Sequence, residues 1–477
     1  MSTAPAPPAA VETRTIDHIP VTERHGRARD LFTIWFGSNL MLLTVATGAL
    51  ATAVYGLPLW SAALALVLGN VLGAVVMALH AAQGPRMGVP QMLQTRAQFG
   101  SYGSLLVVVL VIVMYTGFFA SNAVLGGQAL TSLFPGLGVD SGIVVISLIS
   151  VVVASVGYRL IHGLTALMSA VSGVVILLAL IWAVGVRGVP DAVWQTSGTT
   201  TVGFMAVLSV AALWQIAYAP YVSDYTRYMP ADTGVRGAFW GTYSGCVAGS
   251  VLPMLLGALV GAALPDLDTV SGVSELTGSI GGLVVAVLGV GIAATNSMNI
   301  YCGALSTITV GQTLWPRWVP RALTRTVVTL VLAALTVVLA ISSKDDFLVN
   351  YSSFLLLLLA VLVPWTAVNL VDYYVVKHGD YDIDSLFRAD GGQYGRVNGI
   401  AVLCYVVGIL IQVPFLSNVL YTGPVATALG GVDISWVVGL AVISPLYYLL
   451  MRRAGRVQRR AAGAAELPVL TTTGEPV

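Results

Sequence analysis

Polar residues interrupt three otherwise apolar stretches of this chain, and their side chains are of types that bind a solute without covalent chemistry. Side-chain amides and hydroxyls supply hydrogen-bond donors and acceptors. In a membrane, helix-breaking residues are tolerated where the backbone lines a cavity. The interrupting residues are Gly37, Ser38 and Asn39 in the first stretch, Pro220 in the sixth, and Thr295, Asn296, Ser297 and Asn299 in the eighth.

Groupings typical of enzymes do not occur within these stretches. The sequence has no HExxH pattern and no pair of carboxylates inside an apolar stretch, so metal-assisted and acid–base chemistry are not expected. The three cysteines, Cys246, Cys302 and Cys404, are far apart and each falls in an apolar run. This spacing favours core packing over a disulfide framework or metal cluster. We expect neither enzymatic activity nor a cofactor.

The composition indicates whether the chain folds in water or in a lipid bilayer. Of 477 residues, 57% are hydrophobic and 9% are charged, whereas soluble domains carry roughly 25% charged residues. The mean hydropathy is +0.87, which is typical of a polytopic protein in a lipid bilayer. The net charge of +1 gives no field that would attract nucleic acid. The composition therefore excludes a soluble enzyme and a nucleic-acid-binding protein.

Twelve apolar segments are long enough to cross a bilayer as helices. A polar segment, 1–30, precedes them, and a basic and then polar segment, 453–477, follows them. We predict a turn between the fourth and fifth spans at Tyr158–His162, where Arg159 would avoid the membrane centre. The predicted spans are 31–54, 59–80, 102–131, 141–159, 163–186, 202–221, 238–264, 278–301, 322–342, 347–372, 397–416 and 433–452.

The few basic residues predict the orientation of these spans. Cytoplasmic loops are enriched in Lys and Arg. If both tails are cytoplasmic, only Arg187 and Lys344 of the 22 basic residues fall outside. An odd number of spans would abolish this segregation. We therefore predict a multi-pass protein of the plasma membrane with both termini in the cytoplasm.

The interrupted first and sixth spans are five helices apart, and an odd offset reverses the direction of a helix across the membrane. Inverted-topology repeats with substrate and ion at the interrupted helices characterise secondary transporters. The pattern predicts one repeat over about 31–186, a second over about 202–372, and two accessory helices over about 397–452. A close glycine contact in the first span and a simple proline kink in the sixth are the alternative interpretations.

Three segments resemble a known family. MLQTRAQFG after the second span, APYVSDYTRYMP closing the sixth, and IDHIPVTERHGRARDLFTIWFGSN before and within the first are similar to the nucleobase–cation symporter-1 family, of the purine-cytosine permease type. The resemblance covers residues 14–450. It implies an all-α fold of the leucine-transporter type, with 5+5 inverted repeats plus two helices. It also implies import of a nucleobase, allantoin, hydantoin or vitamin-like ring by cation symport with alternating access.

The resemblance further implies a substrate site in which aromatic faces stack on a planar ring and polar groups read its edge. Phe118 occupies the stacking position on helix 3, and Tyr115, one turn before it, replaces a polar edge-reader. On helix 6 the position falls on Trp214 or Gln215, of which we expect Trp214 to stack and Gln215 to read the edge. The exchanged assignment stays open. The other expected edge-readers are Asn296, Asn299 and Asn39.

By the same resemblance, a sodium site would use carbonyls of helix 1 and oxygens of helix 8. The residues in these positions are Gly37, Leu40, Gly291, Ala294 and Thr295. Relatives often carry two adjacent hydroxyls where this chain has Ala294-Thr295, and sodium needs several oxygen ligands. Sodium coupling is therefore weakened here, and the proton is the other candidate for the coupling ion.

Charged residues are expected at the edges of the spans. Asp224 and Arg227, three residues apart on helix 6, are predicted to pair as a structural or gating latch. Asp372 at the end of helix 10 is expected to be a solvated cap. The partners predicted for the chain are the heterocycle, a monovalent cation and the bilayer, with no obligate protein partner. A passive channel or a non-transporting sensor of the same ligand is the alternative function.

Overall fold

A computed structural model describes residues 15–465 except 196, 346 and 419–420. Within this part of the chain the structure is helical, with one isolated β-bridge between Ser417 and Thr422. The helices are α1 Ala28–Asn39, α2 Leu42–Ala49, α3 Leu59–Ala81, α4 Gln83–Met87, α5 Gln91–Phe99, α6 Ser104–Leu133, α7 Val139–Val156, α8 Tyr158–Ile181, α9 Thr201–Ile216, α10 Ala219–Thr226, α11 Gly234–Ala263, α12 Thr269–Thr277, α13 Gly281–Leu314, α14 Ala322–Ser342, α15 Phe347–Val371, α16 Ile383–Phe387, α17 Gly399–Gln412, α18 Pro424–Ala428 and α19 Ser435–Ala465.

The number of membrane-crossing helices agrees closely with the prediction. Among the described residues, ten helical stretches are long and apolar enough to cross a bilayer, and α1 with α2 makes an eleventh if the bent pair is one span. The remaining predicted span coincides with a shorter apolar helix, Gly399–Phe415. The polytopic all-α architecture is confirmed, and the count of twelve remains a prediction.

The helix breaks predicted in the first and sixth spans are present, whereas the polar residues of the eighth span lie within the continuous helix α13. The axes of α1 and α2 differ by 65°, and the break consists of Leu40 and the extended residue Met41. In the sixth span the helix stops at Ala217 and resumes as α10. Pro220 lies in the first turn of α10, where its missing N–H costs no hydrogen bond. The proline therefore lies at the start of the second helical segment, after a two-residue interruption of the span.

The turn between the fourth and fifth spans lies earlier than predicted. Gly157 connects α7 to α8 with φ of +98°, a conformation that favours glycine because it has no Cβ. The predicted turn at Tyr158–His162 is wrong, since these residues form the first turns of α8. Arg159 is exposed there, at a helix end where a charged side chain can reach water.

Helices of the two predicted repeats pack across each other. α1 packs against α11, α3 against α9, and α6 against α13. Short helices follow the second helix of each half: α4 and α5 come after α3, and α12 comes after α11. This correspondence supports two related halves. The residue limits 31–186 and 202–372 remain predictions.

One end of the bundle, called here the tail end, collects both ends of the described chain. Within the predicted tail 1–30, Ile16 and Ile19 are buried, and the Ile19 N–H donates to Gly88 O at 2.9 Å. At the other end of the sequence, the Asn398 amide lies 4.0 Å from Met451 Sδ and donates to Gln98 O at 2.8 Å. Two ends on one side agree with an even number of spans.

A buried arginine and a buried aspartate hold the tail end together. Arg96 of α5 donates to Leu386 O at 2.8 Å and, on α13, to Thr309 O at 3.0 Å and Thr313 Oγ1 at 2.6 Å. Asp372 is only 1% exposed. The expectation that Asp372 is a solvated cap is wrong, because helices and the following loop cover it. The segment 377–398, called here the tail-end loop, contains α16.

Candidate binding site

A cavity lies where the two interrupted helices meet α6 and α13. Its lining therefore combines residues at or near the two helix breaks with side chains from the continuous helices α6 and α13. None of the lining residues carries a formal charge at neutral pH. They are Met41, Phe118, Asn122, Trp214, Ala217, Tyr218, Tyr221, Thr295 and Asn299.

The cavity is closed in this conformation. The gaps between its side chains amount to about 250 Å³, but the centre of a water-sized sphere can occupy only about 10 Å³. That is room for about one water molecule. On the side of α15, the Phe354 ring packs edge-on against Phe118, with centroids 5.3 Å apart. Beyond it the hydroxyls of Thr47 and Tyr351 lie 2.9 Å apart, at the end of the bundle opposite the tail end.

Trp214 lines the cavity and is fixed by hydrogen bonds behind its ring. Its indole Nε1 donates to Asn39 Oδ1 at 2.7 Å and to Ser250 Oγ at 3.1 Å. The Trp214 and Phe118 rings meet edge to face, with centroids 6.1 Å apart and planes at 89°. Both predicted stacking residues are thus in the cavity, but their faces are not parallel in this closed state.

Gln215 does not reach the cavity. Its Nε2 donates to Asn70 Oδ1 at 2.7 Å, to Cys246 O at 3.2 Å and to Ser250 Oγ at 3.0 Å, so the side chain faces α3 and α11. Gln215 points about 100° away from Trp214 around the helix axis, and its hydrogen bonds to α3 and α11 keep it away from the cavity. The edge-reading role proposed for Gln215 has no geometric support in this state.

The two predicted asparagines of α13 have different positions. Asn299 lines the cavity, and its Oδ1 accepts from the Tyr221 hydroxyl at 2.6 Å. Asn296 lies behind it: its Nδ2 donates to Phe119 O at 3.1 Å, and its Oδ1 accepts from Asn299 Nδ2 at 3.1 Å. Asn296 therefore positions Asn299 and ties α13 to α6.

Tyr115 and Asn39 also act from behind the lining. The Tyr115 hydroxyl donates to Pro220 O at 2.9 Å, which ties α6 to the start of α10. Asn39 donates to Trp35 O at 2.7 Å and accepts from Trp214. Neither side chain lines the cavity, so both hold the helix breaks in place.

The sequence analysis missed Asn122. It lies on α6 four residues after Phe118, hence on the same face of the helix, and it lines the cavity. Its Oδ1 and Nδ2 are buried and have no hydrogen-bond partner among the described residues. Buried amides are normally paired, so a donor and an acceptor are available here to a bound molecule. The spacing of four from Phe118 could have revealed this residue.

The residues predicted to bind a cation gather at the first break. Thr295 Oγ1 donates to Ser38 O at 2.7 Å, and a Cβ added to Gly291 would lie 2.4 Å from Leu40 O. Gly37 O accepts from the Leu40 N–H at 3.2 Å, and Ala294 O from Ser297 Oγ at 2.5 Å. Thr295 is the one hydroxyl among the five predicted residues. Within the described part of the chain, no three His, Cys, Asp or Glu side chains form a metal site.

Asp224 and Arg227 join several elements near the tail end. Asp224 Oδ1 accepts from the Gln91 N–H at 2.8 Å, at the start of α5. Arg227 donates to Thr15 O at 3.0 Å and to the Tyr301 hydroxyl at 3.2 Å. These contacts link α10 to α5, α13 and the N-terminal segment, as a latch would require. The direct pairing of Asp224 with Arg227 remains a prediction.

Comparison with known proteins decides the family. A family model described as "Permease for cytosine/purines, uracil, thiamine, allantoin" matches residues 18–439. The chain belongs to this permease family. It is also the nucleobase–cation symporter-1 family that the three sequence segments resemble, and membership makes the protein a membrane transporter rather than an enzyme.

Related permeases align with nearly the whole chain. A protein named putative purine-cytosine permease YxlA from Bacillus subtilis is 39% identical over 96% of this chain and 100% of its own length. Purine-cytosine permease fcyB from Emericella nidulans is 26% identical over 93% of this chain and 88% of its own.

Solved structures show the fold. Mhp1, a nucleobase-cation-symport-1 family transporter in a closed conformation with bromovinylhydantoin bound, matches with a TM-score of 0.75 and 18% identity over 94% of this chain and 97% of that one. A Na⁺-coupled sialic acid symporter matches with a TM-score of 0.63 and 13% identity over 90% of each chain. The permease thus has the transporter fold that the sequence predicted.

Proposed function

We propose that this permease imports a nucleobase or a related planar heterocycle by cation symport with alternating access, across the plasma membrane and with both termini in the cytoplasm. The observation that carries the proposal is the cavity in which Phe118 and Trp214 present aromatic surface while Asn122 and Asn299 present amides. The lining has no formal charge, which favours a neutral solute. The names of the relatives, purine-cytosine permeases, support the same class.

Asn122 is the residue best placed to read the edge of the ring. Its amide offers one acceptor and one donor group, and neither has a partner within the part of the chain that the structure describes. A nucleobase carries ring nitrogens, carbonyls or amino groups in its plane, so one edge can satisfy both amide atoms. Asn299 already bonds Tyr221 and Asn296, and it would contribute a pre-oriented group.

The closed cavity fits one step of an alternating-access cycle. The perpendicular rings of Phe118 and Trp214 leave no slot for a planar solute. The cavity must therefore widen, or one of these two side chains must rotate, before the solute can bind. A ligand shifts such an equilibrium only by its different affinities for the states. Coupling therefore requires that solute and cation favour the same state. The coupling ion is sodium or a proton. Sodium needs several oxygen ligands, and Thr295 supplies the one side-chain hydroxyl among the predicted cation residues, so the proton stays a candidate.

Uptake of radiolabelled cytosine, adenine, uracil and allantoin into cells that express the protein tests the proposal. We expect at least one solute to accumulate against its gradient, and accumulation to fail after sodium removal or after addition of a protonophore. Uptake that only equilibrates would indicate the passive channel instead. Binding without uptake would indicate the sensor.

The substitution Asn122→Ala tests the cavity. Leaving polar groups of the bound ring unpaired costs about 1–3 kcal/mol, so we expect affinity to fall roughly 5- to 150-fold. Asn350→Ala is the matched control, because Asn350 is exposed and bonds only Asp345 O at 2.9 Å. Equal affinities of the two variants would contradict the site.

A further inference from the structure

A carboxylate that forms no ion pair with a described residue is buried at the tail end of α15, the helix whose Phe354 covers the cavity. Asp372 is 1% exposed. Its Oδ2 accepts from the Tyr381 hydroxyl at 2.7 Å and its Oδ1 from the Tyr447 hydroxyl at 2.8 Å. These donors lie on the tail-end loop and on α19, so Asp372 connects three elements through a single side chain.

The charge of Asp372 is only partly compensated, by two tyrosine donors and by Lys377 without a direct ion pair. Asp372 makes no ion pair with any described residue. Burying a charge without an opposite charge costs several kcal/mol per ion even after relaxation, and the usual response of such a group is to bind a proton. The titratable, charged or polar groups that face Asp372 or its two donors are Tyr373 and Lys377 on its own segment, Gln98 on α5, Cys404 on α17, Tyr394 on the tail-end loop, Tyr381 and Tyr447.

A chain of side chains joins Asp372 to the interrupted helix α10. Gln98 Nε2 donates to the Tyr381 hydroxyl and Asn369 Nδ2 to Gln98 Oε1, each at 3.4 Å. Gln83 Nε2 donates to Asn369 Oδ1 at 2.6 Å, and Gln91 Nε2 to Gln83 Oε1 at 3.0 Å. The Gln91 backbone N–H then donates to Asp224 of α10. Any shift of α10 against α15 must therefore disturb this chain.

The opposite half of α15 closes the cavity. Phe354 covers Phe118, and Tyr351 bonds Thr47 of α2. A displacement of α15 that uncovers the cavity would also move Asp372 relative to Tyr381 and Tyr447. The proton affinity of Asp372 and the closure of α15 are then linked, and a linked equilibrium acts in both directions.

We propose that Asp372 is a proton-binding site that is protonated in the closed state and gives up its proton to water when α15 separates from α19 and the tail-end loop. This inference rests on the proposed function, since it assigns a pH control to the same transport cycle. Low pH favours the protonated, closed state and slows exchange of the solute. Raising the pH favours the open state and speeds exchange.

The test uses purified full-length protein in lipid vesicles with equal pH on both sides. Exchange of radiolabelled cytosine, adenine, uracil and allantoin is measured from roughly pH 5 to pH 8, and we expect the rate to rise about fivefold or more with pH. Asp372→Asn, which is always uncharged, should exchange slowly at every pH. Asp390→Asn should keep the wild-type profile, because Asp390 is an exposed aspartate of the same loop that contacts Arg388 and the Gly392 N–H rather than α15 or α19.

Two further measurements keep the outcome decisive. The infrared spectrum of wild-type protein at neutral pH should contain the carbonyl band of a neutral carboxylic acid that Asp372→Asn lacks. Tyr447→Phe keeps the carboxyl group but removes a donor that stabilises its charged form, so its exchange profile should move to higher pH. An Asp372→Asn variant with the wild-type profile would overturn the proposal, and so would a missing infrared band. If no probe is exchanged, the proposed function fails, while the infrared band still decides the state of Asp372.

Discussion

The indole Nε1 of Trp214 lies 2.7 Å from the side-chain oxygen of Asn39, and this hydrogen bond joins the two interrupted helices beside the cavity. Asn39 is the last residue of α1, and Trp214 lies one turn before the break that precedes α10. The Trp214 ring, which lines the cavity, is therefore oriented by the helix that also contributes predicted cation residues. A change at either break reaches the other through one side-chain contact.

Trp214→Phe separates the aromatic surface from this hydrogen bond. The variant keeps a ring but loses the donor to Asn39, worth about 1 kcal/mol, so we expect substrate affinity to fall roughly fivefold. Trp214→Ala and Phe118→Ala remove a ring altogether, and both should abolish uptake while surface expression is intact. Affinity is measured by thermal shift or scintillation proximity, and uptake with radiolabelled solute.

Trp436→Phe is the matched control for Trp214→Phe. Its indole Nε1 also donates to a hydroxyl, Ser209 Oγ at 3.0 Å, but Trp436 does not line the cavity. We expect a similar loss of stability without a loss of affinity. Unchanged uptake in both alanine variants would refute the stacking role of the two rings.

Gly291→Ala tests the contact between α13 and the first break. The added Cβ would lie 2.4 Å from Leu40 O, so α13 and the break would have to separate. Overpacking of this kind typically costs about 1–3 kcal/mol, and we expect a lower midpoint of thermal unfolding together with loss of uptake.

Gly289→Ala controls for the general effect of alanine in α13. The Cβ added there would meet only the Ala129 side chain, at an ordinary 3.5 Å. This variant should match the wild type in stability and uptake. Equal behaviour of the two alanine variants would show that close approach at Gly291 has no role.

Tyr351→Phe tests the contact that closes α15 over the cavity. It removes the hydroxyl that lies 2.9 Å from Thr47 Oγ1, a bond worth about 1 kcal/mol, so the ratio of open to closed protein should rise roughly fivefold. Distances between spin labels on α2 and α15 would show the longer-distance population.

Tyr405→Phe is the control for this gate variant. Its hydroxyl is buried on α17 without a hydrogen-bond partner, so its removal should leave the distance distribution unchanged and the stability equal or higher. A Tyr351→Phe distribution identical to that of Tyr405→Phe would show that the Thr47 contact does not hold the gate.

Strong acid should loosen the part of the tail-end loop around Asp390. Hydrogen bonds from Arg388 and the Gly392 N–H lower the pKa of Asp390 from 3.8 to about 2. A lowered pKa stabilises the folded loop above pH 3.8, and this stabilisation is lost as the pH falls from 3.8 to about 2. Limited proteolysis of 377–398 should accelerate in that window for the wild type. Asp390→Asn should instead show the same cleavage rate on both sides of it.

The sequence predicts the fold well because apolar length and helix-breaking residues act locally. Gly37-Ser38-Asn39 lies directly before the break at Leu40, and Pro220 lies within a few residues of the second break. Which residues of a helix face the cavity is harder to predict. Trp214 and Gln215 are neighbours in sequence, yet only Trp214 of the two lines the cavity, and the packing of α9 against α3 and α11 decides this.

Which polar residues are buried could not be predicted from the sequence. Asn122 resembles any asparagine that bridges two helices, and its unpartnered amide is evident only once its neighbours are placed. Asp372 comes after an apolar span, where a solvated end is the ordinary expectation. Tyr381 and Tyr447, which lie 9 and 75 residues further along, cover it, and such distant contacts leave no local pattern.

The length of α13 makes it a lever between the cavity and the tail end. From Asn299 in the cavity to Thr313, which accepts from Arg96, the helix runs about 21 Å at 1.5 Å per residue. A tilt of about 10° pivoting at the cavity would carry Thr313 by roughly 4 Å at that length, more than a hydrogen bond can follow. A small displacement of α13 at the cavity would thereby become larger beside Arg96, the residue that joins α5 to the tail-end loop.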